Sequence, residues 1–143
     1  MSDPTLGDEE YRRLLEFRVA LRRFLKWSEE QAAAAGITTQ QHQLLLAIRG
    51  HAEPGPPTIG QLADSLLLRH NSVVELINRA EQAGFVTRSF DGADKRVVHL
   101  GLTSRGQRVL DWLSATHLEE LARLAPTVGK LANGLQPTAQ WHS

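Results

Sequence analysis

The 143-residue chain contains no cysteine, which excludes a disulfide framework, a thiolate nucleophile and any switch based on thiol oxidation. It carries no net charge, with sixteen Lys and Arg against sixteen Asp and Glu, and aromatic residues make up only 6%. It also lacks a long apolar run. The longest, Leu44–Ile48, falls far short of the roughly 20 residues a membrane-spanning helix needs. The opening Met1-Ser2-Asp3-Pro4 has no basic stretch followed by an apolar one, as a secretory signal would. A soluble, cytoplasmic chain with no membrane association is expected. What is present, 41% hydrophobic and 22% charged residues, is a globular composition at single-domain length.

Catalytic and metal-binding patterns are missing as well. His42, His51, His70, His99, His117 and His142 are scattered, no two at the i, i+4 spacing of a helical metal site. Gly50 and Gly55 have phosphate-loop spacing, but Pro56-Pro57 follows where Lys-Ser/Thr is required. Neither a nucleophile elbow nor a paired-carboxylate cleft occurs. The expectation is no enzyme, no metal and no cofactor.

Charge is distributed unevenly. Residues 69–108 carry seven basic against four acidic residues, while both flanks are slightly acidic. A basic middle is the electrostatic footprint of a nucleic-acid face on a neutral body.

Periodicity gives the order of elements. Leu14, Phe17, Leu21 and Phe24 place one apolar stripe on a helix over 8–35, which Gly36 stops. Thr38–Gln41 and Thr58–Gln61 both read as capping boxes, each opening a helix. Residues 50–57, rich in Pro and Gly, form a loop between them. After a turn at Leu67–Arg69, Val73, Leu76, Ile77 and Ala80 give the inward face of a further helix ending at Gly84. Two short helices joined by three residues make a helix-turn-helix. The period then falls to two: residues 85–90 and 98–102 predict a hairpin around the polar tip 91–96, with His99 facing outward into solvent. Thr103 caps a long helix whose stripe is Leu110, Leu113, His117, Leu121 and Leu124, and Pro126 is expected to break it before a last short helix.

The fold class expected is mainly α (α+β), a winged helix-turn-helix between long terminal helices. Residues 1–36 form the N-terminal helix, 37–103 the winged lobe (helix-turn-helix 58–84, wing 85–102), 104–135 the C-terminal helices and 136–143 a flexible tail. The terminal stripes are too long for a core of this lobe to cover, so a two-fold homodimer should bury them, through Leu14, Phe17, Leu21, Leu113, His117, Leu121 and Leu124.

Several motifs then carry a family resemblance. Leu62-Ala63, the run Asn78-Arg79-Ala80-Glu81-Gln82-Ala83-Gly84-Phe85-Val86, Asp94-Lys95-Arg96 and Leu102-Thr103-Ser104-Arg105-Gly106 resemble the MarR-type transcriptional regulators. The resemblance implies a homodimer on a pseudo-palindromic double-stranded DNA operator, acting as a repressor released by a small molecule. On that reading His70, Asn71, Ser72 and Glu75 face the major groove, where Asn can pair with adenine and Glu with cytosine. Arg69 and Ser72 suit phosphates, Arg96 enters the minor groove, and Lys95 and Arg88 add phosphate contacts. Arg79 would pair with Asp94 to stabilise the wing. An effector pocket for a small aromatic ligand is expected around Phe24, Trp27, His42 and Trp112. Arg69 stands where such sequences usually place a Ser or Thr cap, leaving Asn71 as an alternative start for that helix. The competing reading is a winged-helix module that binds a protein partner without sequence-specific DNA recognition; neutral charge and Glu75 favour it.

Overall fold

The computed structural model describes residues 3–90, 96–134 and 140–141. The order is β1 (Pro4–Thr5), α1 (Asp8–Ala34), α2 (Thr39–Arg49), α3 (Ile59–Leu66), α4 (His70–Gln82), β2 (Val86–Phe90), β3 (Val98–Leu102), α5 (Ser104–Gly134) and β4 (Gln140–Trp141). The chain divides into two compact units, one made of Met1–Glu30 with Thr116–Ser143 and the other of Gln31–Ala115.

Local chemistry sets the element ends. In both capping boxes the exchange is reciprocal: Gln41 N–H donates to Thr38 Oγ1 and Thr38 N–H to Gln41 Oε1, each at 3.0 Å, and Thr58 and Gln61 repeat it. Gly84 takes φ +82° after α4. The Phe85 and Gly84 amides then donate to the carbonyls of Ala80 and Glu81, a Schellman end that satisfies carbonyls the helix leaves open. Leu67 ends α3 in the same left-handed region, at φ 55°, without being glycine.

The second unit, the lobe, encloses a continuous core from Ala32 through Leu44, Leu45, Leu62, Val73, Ile77 and Leu100 to Leu113. Its hairpin pairs β2 with β3 antiparallel, Val86 opposite Leu102 and Phe90 opposite Val98. Gly106 meets this hairpin at very close range: a Cβ there would lie 2.1 Å from the Phe85 carbonyl oxygen. Thr103 Oγ1 donates to the Gly84 carbonyl at 2.6 Å and accepts from Gly106 N–H at 3.0 Å. These contacts give the Leu-Thr-x-x-Gly run its physical meaning, because only glycine lets α5 start against the strand.

Four expectations change. Pro126 does not end α5, which continues to Gly134. Proline removes one backbone donor, and in a helix of 31 residues that loss is local and leaves the turns on both sides intact. His99 is half-buried rather than turned fully to solvent: its Nδ1 lies 3.0 Å from the Pro56 carbonyl, so Nδ1 carries the proton there. The Leu100 amide donates to the Pro57 carbonyl, so the end of the 50–57 loop lies along β3. Leu113, expected in a dimer interface, is wholly enclosed in the lobe's own core and offers no surface to a partner. In the first unit, β4, within the stretch expected as a flexible tail, pairs antiparallel with β1.

Candidate nucleic-acid interface

α4 has two faces. Val73, Leu76, Ile77 and Ala80 are buried in the lobe, whereas Arg69, His70, Asn71, Ser72, Glu75, Asn78 and Arg79 are exposed. Val74 is half-buried. The helix starts at His70 with Arg69 as its N-cap, and no side chain caps it, so the alternative start at Asn71 is set aside. The first bond of the ladder runs from the Val73 amide to the Arg69 carbonyl at 3.1 Å. The amides of residues 70–72 precede that bond, at the end of the helix where the dipole favours an anion.

The wing stands directly behind. Arg96 is exposed just before β3. Asp94 and Lys95 lie outside the described residues, and with them the expected Arg79–Asp94 pair. Arg88, expected to reach phosphate, turns instead to α4. Its Nη2 donates to Asn78 Oδ1, its Nε lies 4.0 Å from the Glu81 carboxylate, and its side chain is 28% exposed. Sequence reasoning did not find this contact, since no local pattern announces a partner ten residues away across a turn. Arg105 was likewise missed: it donates to the Ala83 carbonyl at 3.0 Å and lies over the Phe85 ring.

The remaining site residues divide between the units. In the first, Leu14, Leu21 and Leu121 are exposed and Phe17 and Leu124 half-buried. Phe24 and Trp27 stack at 5.9 Å, and His117 sits edge-on to Phe24. His117 Nε2 is 2.6 Å from Ser28 Oγ, another pairing the sequence did not reveal. A largely apolar groove of about 590 Å3 runs along Phe17, Leu21, Phe24, Trp27, Leu121 and Leu124. At its edge Arg123 forks onto Glu120 at 2.5 and 3.1 Å; these hydrogen bonds hold the Glu120 carboxyl below, and the Arg123 guanidinium above, their ordinary ranges. In the lobe, His42 is buried and Trp112 half exposed. Among the described residues no three His, Asp or Glu cluster as a metal site would require, and no helix is long and apolar enough to cross a membrane.

Comparison with known proteins agrees with this geometry. The uncharacterized HTH-type transcriptional regulator YkoM of Bacillus subtilis (strain 168) is 36% identical over 69 residues, 48% of this chain and 45% of that protein. The chain thus spans less than half the length of the curated relatives it matches. A MepR mutant from S. aureus, solved bound to an oligodeoxyribonucleotide, superposes with a TM-score of 0.68 at 20% identity, covering 85% of this chain and 96% of that one. CouR from Rhodococcus jostii RHA1, solved bound to p-coumaroyl-CoA, gives 0.64 at 22% identity, covering 83% and 85%. Those two likenesses speak for the fold. Residues 35–97, from the end of α1 to the start of β3, match the family model described as MarR family.

Proposed function

We propose that the chain is a DNA-binding transcriptional regulator, a homodimer that acts as a ligand-responsive repressor on a pseudo-palindromic operator. The observation that carries this reading is the α4 surface: Arg69, His70, Asn71, Ser72 and Glu75 exposed on one side, and four apolar residues anchoring the other in the core. A helix fixed in this way can enter a major groove without rearranging the lobe. Asn71 is suited to pair with adenine, Glu75 to accept from cytosine, and the amides of residues 70–72 with Arg69 to seat a phosphate. Arg96 reaches the neighbouring minor groove.

The homodimer is supported by the first unit, in which the described apolar residues form an open groove. A second copy of the same helices covers it and sets two α4 helices about one helical turn of DNA apart. Ligand response is supported by the stacked Phe24–Trp27 pair and by the aromatic acyl thioester bound to CouR.

A salt titration of duplex binding tests the proposal. The wild type should bind tightly at low salt with a steep negative slope. Arg96→Ala should weaken binding and reduce the slope by roughly 0.9 for the lost phosphate-region charge. The second reading, a protein-interaction module, is favoured by a groove of about 670 Å3 between α2 and α3, with Leu46, Leu67 and Leu68 exposed on the same two helices and the turn after them. Flat, weak binding by both proteins would select it.

A further inference from the structure

We infer that Arg88 is a positioning residue: it braces the wing strand against the recognition helix through Asn78 and Glu81 and does not itself hold a DNA phosphate. The inference rests on the DNA-binding reading above and deepens it, by stating what fixes the wing relative to α4.

Three observations converge. The guanidinium of Arg88, on the third residue of β2, donates through Nη2 to the side-chain oxygen of Asn78 on α4. Its Nε is turned inward, shielded from water, and faces the Glu81 carboxylate at 4.0 Å. The side chain is 28% exposed, whereas Arg69, Arg79 and Arg96 lie on the exposed surface. An arginine reaching for phosphate extends its fork into solvent, but this one donates from Nη2 to Asn78 and keeps its Nε buried, within ion-pair range of Glu81 but without a hydrogen bond to it. Asn78 and Glu81 are three apart, so they lie side by side on α4, and the planar guanidinium bridges them in one rigid geometry that a lysine ammonium cannot copy.

The brace acts toward the outer end of β2, beyond Val86 and Leu100, which the core holds. Among the described residues β2 pairs with β3 alone, β3 is tied to Thr58 through His99, and Phe90 at the far end of β2 is 61% exposed. The α4-to-β2 turn is already fixed by Gly84, Thr103 and Arg105. Arg88 adds a hold three residues further out, toward Arg96. Tilting of the wing about its base would move Arg96 off its groove while α4 stayed in place.

The test uses the full-length protein and a duplex selected by the wild type from a random library, with a non-selected duplex as control. Measurements are made well below each variant's thermal midpoint. Arg88→Ala, Arg88→Lys and Asn78→Ala should each weaken binding to the selected duplex by roughly tenfold, the scale of one charge-assisted hydrogen bond. The double variant Arg88→Ala/Asn78→Ala should be no weaker than either single one, because both remove the same brace. Binding to the non-selected duplex should be unchanged, and any fall in salt slope, which would come from Arg96 leaving its groove, should be the same in all three variants. The inference is overturned if Arg88→Ala lowers the slope by about 0.9 while Arg88→Lys binds as the wild type does, the signature of a phosphate contact. Losses that multiply in the double variant overturn it too. If the wild type selects no duplex, the DNA-binding reading has failed, and the brace is judged on thermal midpoints alone: non-additive shifts for Arg88 and Asn78 keep it, additive ones remove it.

Discussion

The lobe and the first unit bury apolar side chains to very different degrees. In the lobe, fifteen hydrophobic residues fall into one enclosed core, and α4 shows polar side chains outward because its apolar ones are all used. In the first unit the apolar side chains stay open: Leu14, Leu21 and Leu121 are between 40% and 49% exposed, and among its described residues Ser28 alone is buried. A unit that encloses its core folds on its own account, whereas a unit with an open stripe is stabilised when another surface covers it. The contrast explains how one helix can serve two ends: Leu110 and Leu113 of α5 close the lobe core, while Leu121 further along lies exposed.

The contrast is easiest to break in the lobe. Ile77→Ala, at a fully enclosed position, should cost about 2–5 kcal/mol, and chemical denaturation should show the loss directly as a lower midpoint at unchanged slope. A substitution pair in the first unit sharpens it from the other side. Leu21→Glu with Leu121→Glu should leave the lobe's circular dichroism intact but raise the dimer dissociation constant by roughly 30-fold or more, as for loss of an interface hot spot. Sedimentation would then report a 15.9 kDa species; a wild type that already sediments at that mass would remove the dimer from the proposal. The smallest effect belongs to Ser28→Ala. Losing the 2.6 Å contact to His117 should cost about 1 kcal/mol, visible as a modest fall in thermal midpoint with DNA affinity unchanged.

Much of the fold was legible because its signals are local. The two Thr-x-x-Gln boxes and Gly84 each act within a few residues, and the structure reproduces them bond for bond. The exposed α4 set was legible for the same reason: a 3.6-residue period assigns one face as soon as the other is apolar. Signals that depend on partners far along the chain were not. Leu113 and Leu121 occupy one stripe at helical spacing, and nothing in that spacing tells which will meet the lobe core. Arg88 looked like any cation on a wing until Asn78 was beside it. Pro126 was misjudged because a local rule was applied where 31 residues of helix outvote one missing amide.

The sequence by itself determined where helices begin and end, which face of each is apolar, and that a helix-turn-helix precedes a hairpin, since capping and periodicity are set by neighbours three and four residues apart. Only the tertiary structure decided which apolar residues are enclosed and which stay open, why position 106 admits nothing but glycine, and which cation is held by α4 while others remain at the surface. Those outcomes depend on distances between segments that the order of residues leaves free until the core has packed.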